Sequence, residues 1–157
     1  MPFTPFHIGP GGLLKVIYPG YFSLALFIWI QVLIDVEAFY FLVRGQYPEH
    51  RMLHSYAGVN LAIMAALIVG RPTCEFIVRK KIAWPAALSG AAVGGYSHVF
   101  FDSFMHADMR PLWPFSDANP MLGRVPVRAL YWLCALSALA ALFILARARL
   151  KRKSIQR

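Results

Sequence analysis

The sequence predicts an all-α fold: a polytopic integral membrane helix bundle with about four transmembrane helices and a short N-terminal half-helix. One observation is composition, since the 157 residues are 59% hydrophobic and 15% charged. Their mean hydropathy of +0.54 is too high for a soluble domain of this length. The other is that apolar residues gather into runs at 21–43, 55–70, 82–105 and 127–146. Each approaches the roughly 20 residues that cross a bilayer as a helix, although the second is short.

The segment before the first run contains an apolar stretch, residues 8–18, that is too short to span and is followed by Pro19 and Gly20. It has no basic start and no small-residue cleavage site, so we do not expect a removable signal peptide. A re-entrant half-helix, which dips into the membrane and returns, would carry His7 to the exported side. The other interpretation is an interfacial helix with a solvated histidine.

Basic residues predict the orientation, because short cytoplasmic loops carry more Lys and Arg than exported loops. One basic cluster flanks the second loop and another ends the chain: Arg71, Arg79, Lys80, Lys81, Arg147, Arg149, Lys151, Arg152, Lys153 and Arg157. Both clusters, and with them both termini, are expected on the cytoplasmic side of a cell (inner) membrane. The loop with His50 and His54 and the loop at 106–126 are then expected on the exported face.

A single membrane-embedded domain at 1–149, followed by a disordered, basic cytoplasmic tail at 150–157, is the simplest organisation. The chain shows no internal repeat and no low-complexity linker. Its formal charge of +9 does not indicate nucleic-acid binding, because the basic residues lie where topology and anionic headgroups favour them. Cys74 and Cys134 fall at different expected depths and form no metal-type pair.

The first run carries Gln31, Asp35 and Glu37 at membrane depth. Intramembrane carboxylates are costly enough that function is their default interpretation. Asp35 lies one helical turn from Gln31, which makes it the better candidate for an inward metal ligand. Glu37 lies about 200° around the helix from Asp35 at 100° per residue, on the face of Arg44. It either pairs with Arg44 or Arg51 or has a functional role.

The second run opens with His50 and His54, four residues apart. If the helix begins by Glu49, both imidazoles lie on one face and can ligate or flank one metal cluster. Such a pair is also common at a solvated helix start. Arg51, between the two histidines, suits an anion, because its planar guanidinium matches phosphate or carboxylate.

The third run has the most specific pattern. Gly90 and Gly94 form a Gly-x-x-x-Gly pair that allows another helix to approach closely, either within the bundle or in a homodimer. Further on, His98 and Asp102 are four residues apart, so they share a helix face and present a metal-ligand pair inside the membrane. The alternative is a histidine hydrogen-bonded to its own carboxylate for helix packing.

The third run leads into a loop at the membrane interface, where Trp113 and Pro114 are expected at headgroup level. His106 and Asp108 either join the site or solvate its rim. Arg110 can steady an anionic substrate or a developing charge.

Taken in order, these motifs resemble the membrane-bound metal-dependent hydrolases described as LexA-regulated. The resemblance covers residues 1–115. That family is thought to be distantly similar to zinc-dependent phospholipases C and single-strand-type nucleases, which are all-helical enzymes with clustered divalent metals. The matching pieces are His7, Asp35-Val36-Glu37, His50-Arg51-Met52-Leu53-His54-Ser55, Gly95-Tyr96-Ser97-His98 with Asp102, and Leu112-Trp113-Pro114.

The resemblance implies metal-ligand roles for His7, Asp35, His54, His98 and Asp102. Two departures from the family pattern favour one or two metals over three. Members commonly have Pro-Asp-x-Asp-His, whereas Ile34 and Ala38 here replace the proline and the final histidine, and Glu37 replaces the second Asp. The segment from His50 to His54 is also one residue shorter than the family's His-Arg-Gly-x-Thr-His.

The predicted function is metal-dependent hydrolysis of a phosphoester or lipid-like substrate. A divalent ion, zinc or else manganese, lowers the pKa of bound water and polarises the scissile group. Glu37 or His50 would act as general base, and Arg51, Arg110 and Trp113 would bind substrate. A site at the exported membrane boundary favours an amphiphile, such as a phospholipid or a polyprenyl-phosphate-like ester.

Two other classes of function fit parts of the sequence. His54 and His98 in facing spans could hold a b-type haem, although Asp35 and Asp102 fit that poorly. A non-catalytic carrier or ion pathway could use buried acidic and imidazole groups to relay metal ions or protons, although no second matching half of the kind found in transporters is visible.

Overall fold

Six α-helices make up the computed structural model, which describes residues 4–155 and the side chains of residues 7–154. A 3-10 turn, Met52–His54, precedes α3, and a π-helical stretch, Ala66–Gly70, joins α3 to α4. The described residues contain no strand, so the all-α prediction is confirmed. The helices are α1 (Thr4–Ile17), α2 (Leu24–Val43), α3 (Tyr56–Ala65), α4 (Arg71–Val78), α5 (Trp84–Ser103) and α6 (Val127–Ile155).

Within the described residues, three helical stretches are long and apolar enough to cross a membrane: Leu24–Val43, Tyr56–Val78 and Val127–Ser154. This is fewer than the four that the sequence predicts. The third apolar run forms α5, which falls short in hydropathy because glycines, serines and the His98 and Asp102 pair dilute its apolar side chains. Ten of its 20 residues are buried against other helices, so much of its surface contacts protein.

The second span extends beyond residue 70, where the sequence prediction ended it at the basic Arg71. α3, the π-helical stretch and α4 run on as 23 residues of apolar helix. The Arg71 guanidinium lies 3.9 Å from the centre of the Trp84 ring, and its Nε donates to the Ile82 carbonyl at 3.0 Å. The Glu75 carboxylate lies 3.2 Å from the same Nε, so ring, backbone and carboxylate together accommodate the charge without ending the helix.

α1 is a short N-terminal helix, as predicted. Its 14 residues extend about 21 Å at 1.5 Å per residue, less than the bilayer's hydrocarbon core of about 30 Å. Gly9 packs on the Cys134 carbonyl near the start of α6, and Lys15 borders the same groove as Ala148 farther along α6. α1 therefore runs parallel to α6. This direction brings His7 into the bundle from the end where α6 begins, without a dip into the membrane and back. The start of α1 and the end of α6 therefore lie at opposite ends of the bundle, which differs from the prediction that both termini share one side.

α2 and α5 form the central packing contact. A Cβ on Gly94 would come within 2.7 Å of Ile30 Cγ2, and one on Gly90 would overlap the Ser23 carbonyl. The Gly-x-x-x-Gly pair thus allows close packing within the bundle, and a homodimer stays a prediction. The buried apolar core around this contact includes Leu26, Ile30, Ile34, Val59, Ala62, Ala91 and Val99.

Two loops, at 44–55 and 104–126, meet at one end of the bundle. The Tyr56 N–H donates to the Pro111 carbonyl at 2.9 Å. The N–H groups of Glu49 and His50 donate to Asp108 Oδ2 at 2.9 and 3.0 Å. These bonds join the loops that follow α2 and α5, so polar residues from both are held together.

The end of the chain differs from the predicted disordered tail. α6 continues as helix through residues 150–155, because nothing in Ala148, Arg149 or Leu150 breaks a helix and their propensities favour one. Residues 156–157 lie outside the described part. The side of the membrane on which this basic end lies stays a prediction.

Candidate metal centre

The α5 pair singled out in the sequence forms the middle of the site. His98 and Asp102 are 1% and 3% exposed, and His98 Nε2 lies 3.3 Å from Asp102 Oδ2. Asp35 Oδ1 approaches the same nitrogen at 3.3 Å. The close packing of α2 on α5 thus places one carboxylate from each helix at a single imidazole nitrogen.

α1 adds a histidine to this pair. His7 Nε2 lies 3.6 Å from Asp102 Oδ1, and the His7 and His98 ring centroids are 5.3 Å apart. His7 is only 4% exposed. The structure therefore brings His7 to His98 and Asp102, which lie more than 90 residues away in the sequence.

The first group of candidate ligands contains four of the five residues proposed from the resemblance. One ligand atom each from Asp35, His54, His98 and Asp102 lies within 4.8 Å of the others. The three residues other than Asp35 are buried. Four imidazole and carboxylate ligands at this spacing can surround one divalent ion.

A second group lies beside the first. His50, Asp102 and His106 also offer ligand atoms within 4.8 Å of one another, and the rings of His50 and His106 have centroids 4.0 Å apart. Asp102 belongs to both groups. Because a carboxylate has two oxygens, it can serve an ion on either side.

Several atoms in the cluster are buried without a hydrogen-bond partner among the described residues: His54 Nε2, His98 Nε2, Asp102 Oδ1 and His106 Nε2. Such a group costs about 1–3 kcal/mol when left unsatisfied, and native proteins rarely leave one so. Imidazole nitrogens with carboxylate oxygens are a donor set that zinc and related ions take. The residues present therefore fit a metal ion.

Two histidines are held by a hydrogen bond at Nδ1, the ring nitrogen that faces away from the cluster. His54 Nδ1 lies 3.4 Å from Glu37 Oε2, and His50 Nδ1 lies 2.9 Å from Asp108 Oδ1. A carboxylate oxygen accepts the hydrogen bond in each pair, so each ring donates from Nδ1. Each ring then presents Nε2 to the cluster, as metal-ligating histidines commonly do.

Gln31 holds two other rings at once. It is 0% exposed, and its Oε1 lies 3.2 Å from both His7 Nδ1 and His98 Nδ1. A carbonyl oxygen has two lone pairs, so one amide can accept from both rings and fix the tautomer of each. The only signal for this role in the sequence is weak, namely that Gln31 lies one turn before Asp35.

Burial controls the charge of His54 and His106. Burial, together with His50, lowers the pKa of His106 to about 4. Burial also lowers the pKa of His54, although its hydrogen bond with Glu37 acts in the opposite direction. Both rings are therefore neutral at pH 7, which is the form that binds a metal.

Asp108 shows the opposite balance. Burial alone would raise its pKa, but hydrogen bonds from the backbone and ring of His50 outweigh burial, and the pKa is lowered. Asp108 is therefore ionised at pH 7 and accepts the hydrogen bond from His50.

His50 and His54 meet by a different route from the predicted one. The helix does not begin by Glu49: His50 precedes the 3-10 turn, His54 ends it, and Ser55 caps α3 through its side chain. The two rings meet edge to face with centroids 4.6 Å apart. The expectation of one shared helix face was wrong, because the Ser55 cap starts the helix later.

Glu37, considered in the sequence as a general base or as a partner of an arginine, lies behind His54. Its Oε2 also accepts from the Leu53 N–H at 2.9 Å. Arg44 and Arg51 instead lie over aromatic rings of α2. The contacts of Glu37 thus fit a role in orienting His54 and its turn.

The loop after α5 holds two residues whose role the sequence left open. His106 belongs to the second ligand group, and Asp108 holds His50. The nearness of both to Asp102 in the sequence was their only signal. The pairing of Asp108 with His50 depends on the contact between the two loops, which sequence spacing does not encode.

A cavity of about 430 Å³ lies beside the second group. Its lining includes His50, which belongs to both cavity and cluster. The Arg51 Nε donates to the Pro48 carbonyl at 2.9 Å, and the exposed Arg110 pairs with Asp117 at 3.0 Å. The structure thus brings the proposed substrate-binding residues to one cavity, lined by Pro48, His50, Arg51, Met52, Arg110 and Trp113.

No family model, curated protein or solved structure matches the chain. The resemblance to the membrane-bound metal-dependent hydrolases therefore stays a prediction. What supports a functional interpretation is the geometry itself, in which buried imidazoles and carboxylates converge beside a cavity with two arginines.

Proposed function

We propose that the protein is a membrane-bound metal-dependent hydrolase acting on a phosphoester or lipid-like substrate at the exported membrane face. The observation that carries the proposal is the convergence of buried ligand atoms: His54 Nε2 and His106 Nε2 have no hydrogen-bond partner among the described residues, and His98 Nε2 and Asp102 Oδ1 make only ion-pair contacts of 3.3–3.6 Å. A cluster used only for packing would be expected to satisfy its polar atoms internally. The adjacent cavity supports catalysis over simple metal storage.

Zinc is the proposed ion, with manganese as the alternative, because the cluster mixes imidazole with carboxylate. The first group, around His98, would hold one ion; the second, around His106, could hold another across Asp102. His7 lies beside the shared carboxylate. When bound, such an ion lowers the pKa of a water ligand and polarises the scissile group.

His50 is the proposed general base of a one-metal site. It lines the cavity, and the ionised Asp108 accepts from its Nδ1, which leaves Nε2 to take a proton. If the second group also binds an ion, His50 is a ligand instead. The number of bound ions per chain therefore separates the two roles of His50. Glu37 keeps its orienting role in either case.

The cavity lining favours an anionic substrate. Arg51 is fixed by the Pro48 carbonyl and by the Phe41 ring, 3.5 Å from its guanidinium carbon, so little of its conformational freedom is lost on binding. Arginines suit phosphate oxygens in particular. Trp113 contributes an aromatic wall at 39% exposure, and Phe115 nearby is 92% exposed. Exposed aromatic residues favour the headgroup level of a membrane, where a lipid phosphate would lie.

The polarity of the bundle supports the exported location. The cavity and the metal cluster lie at the end where α2 and α5 finish, whereas Lys80 and Lys81 lie in the turn between α4 and α5 at the other end. Excess Lys and Arg mark the cytoplasmic side. The metal centre would then face the opposite compartment.

The first test is the metal content of detergent-purified protein, measured by mass spectrometry of the elements. We expect near-stoichiometric zinc or manganese in the wild type and its loss in a His98→Ala/Asp102→Ala variant. Asp117→Ala, which removes an exposed carboxylate outside both groups, should retain the metal. Wild-type protein that contains no metal and binds no added zinc would contradict the proposal.

The second test is phosphate release from vesicles that contain phosphatidic acid or a polyprenyl phosphate. The zinc-loaded wild type should release phosphate, and the His98→Ala/Asp102→Ala variant should not. Arg51→Lys keeps the charge but loses the planar guanidinium, so we expect a higher KM with a smaller change in kcat. Release that survives in the double variant would count against the metal site as the catalyst.

An ion pathway is the second candidate function. The observation in its favour is that a polar chain from buried His7 through Gln31 and His98 reaches Asp35, whose side chain is 34% exposed. Such a chain could relay cations or protons. Zinc flux across proteoliposomes, without any hydrolysis of the lipids tested, would favour this candidate.

A further inference from the structure

An apolar groove runs between α1 and α6, from Ile8, next to His7, toward Ala148 at the other end of the bundle. It has a volume of about 640 Å³. Gly12 on α1 leaves it open, because a Cβ there would meet nothing within 4 Å. α6 contributes small and aliphatic side chains, including Ala141, Leu142 and Leu145. The absence of a side chain at Gly12 therefore leaves space on the α1 side of the groove, and the surface of the groove is almost wholly hydrocarbon.

A basic cup of about 370 Å³ continues from the groove. The two cavities share Lys15, Pro19 and Leu24, so they are contiguous. The cup adds Lys80 and Lys81 from the turn before α5. None of its described lining residues is acidic, although Lys81 also pairs with Glu75 at 3.1 Å.

Lys15 is fixed at the junction of groove and cup. Its Nζ donates to the Pro19 carbonyl at 2.6 Å and to the Phe22 carbonyl at 2.9 Å. An ammonium group has three donors, so one remains for a ligand. A fixed cation at the end of an apolar groove suits an amphiphile whose charged group is negative.

We propose that the groove and cup bind one anionic phospholipid, with an acyl chain between α1 and α6 and the phosphate at Lys15, Lys80 and Lys81. Charge complementarity favours this occupant over a zwitterionic lipid, whose headgroup adds a cation beside its phosphate, and over an apolar helix of a second copy, which would bring the lysines no anion. Basic pockets at the cytoplasmic ends of membrane helices bind anionic headgroups in this way. The lipid would belong to the leaflet opposite the metal centre, so it is distinct from the proposed substrate.

The lipid has a structural consequence for α1. This helix is too short to span and carries His7 into the cluster. An acyl chain in the groove would fill the open contact between α1 and α6. Binding of the lipid would thus stabilise the position of His7, the candidate ligand that α1 contributes.

Native mass spectrometry of the full chain in a mild detergent tests the proposal, with phosphatidylglycerol and phosphatidylcholine added in equal amounts. We expect one retained lipid per chain, with phosphatidylglycerol preferred. Gly12→Leu should fill the groove and abolish retention of either lipid. Lys80→Gln should reduce the preference for phosphatidylglycerol about fivefold, the value of one lysine near an anionic surface.

Matched controls separate these effects from general damage. Arg128→Gln removes an exposed charge at the start of α6, and Ala129→Leu adds similar bulk, three carbons rather than four, outside the groove; both should bind lipid like the wild type. Circular dichroism shows whether Gly12→Leu folds. If it does not, the lipid preference of Lys80→Gln still tests the proposal, because Lys80 lies outside the helices. Equal retention of both lipids by the wild type would overturn the proposal. So would a wild-type dimer that Gly12→Leu disperses, because a second copy would then fill the groove.

Discussion

The four innermost histidines are each held by an oxygen that lies outside the two ligand groups. Gln31 accepts a hydrogen bond from His7 and from His98, Glu37 accepts one from His54, and Asp108 accepts one from His50. Every one of these bonds is made at Nδ1. The common consequence is that Nε2 is the nitrogen left for an ion, which gives the cluster a preset geometry.

Gln31 offers the clearest test of this presetting. Gln31→Leu keeps similar bulk but removes the acceptor that fixes both rings, so we expect zinc affinity to fall about 10–100-fold, as is typical of such partners. Gln31→Glu retains an acceptor and should bind zinc more tightly than Gln31→Leu. A competition titration against a chromophoric chelator measures both.

Asn60→Leu is the matched control, because the Asn60 amide bonds to the Tyr56 carbonyl and to the Tyr96 hydroxyl, away from the cluster. It should leave zinc affinity unchanged. Equal affinities of wild type and Gln31→Leu would show that the Gln31 bonds have no part in metal binding.

Glu37 separates an orienting role from a catalytic one. In Glu37→Gln the amide carbonyl can still accept from the Leu53 N–H and from His54 Nδ1, but it no longer accepts a proton at neutral pH. The orienting role predicts a zinc affinity and a kcat within a few-fold of the wild type. A loss of kcat by several orders of magnitude with normal zinc affinity would instead identify Glu37 as the base.

Contacts between site residues were predicted well from the sequence where one helix carries both residues. The four-residue spacing of His98 and Asp102 sufficed to place them together. The Gln31 and Asp108 contacts could not be predicted, because each joins residues on different elements. The charged state of Asp108 also depends on backbone N–H groups that only the folded loop supplies.

At the scale of elements, α1 shows the limit of hydropathy. Its pattern identified a helix too short to span, but gave no information on the helix against which it packs. The answer lies in its small residues, since Gly9 packs on Cys134 of α6 and Gly11 on the Phe27 ring of α2. α5 shows the converse, because burial within the bundle lets a helix of low hydropathy occupy a central position.

The packing of α1 yields a test at this scale. Gly9→Val would force α1 away from the Cys134 carbonyl, and overpacking of this kind costs about 1–3 kcal/mol. We expect a lower melting temperature and, because His7 moves with α1, weaker zinc binding. Gly12→Ala is the control, since its Cβ has open space. Unchanged zinc affinity in a destabilised Gly9→Val would show that His7 is not a ligand.

At the scale of the whole molecule, the two ends of the bundle differ in chemistry. One end carries the imidazole and carboxylate cluster with its arginine-lined cavity. The other carries the basic cup and the arginine- and lysine-rich end of α6. The positions of the Lys and Arg clusters in the sequence predicted this asymmetry. The excess of Lys and Arg on the cytoplasmic side concerns residues that are close together in the sequence, so it can be recognised without the fold. The assembly of the candidate metal centre from α1, α2, α5 and two loops could not be predicted from any local pattern.

A metal shared among so many elements should stabilise the whole bundle. Ligands come from α2, α5 and the two loops, so an ion bound only by the folded state ties these elements together. With free zinc at 100 times its Kd, the expected gain is about 2.7 kcal/mol, seen as a higher melting temperature of the detergent-solubilised protein. A chelator should reverse the gain in the wild type and have no effect on His98→Ala/Asp102→Ala. Asp117→Ala should respond to zinc like the wild type, and a zinc response that persists in the double variant would place the ion elsewhere in the chain.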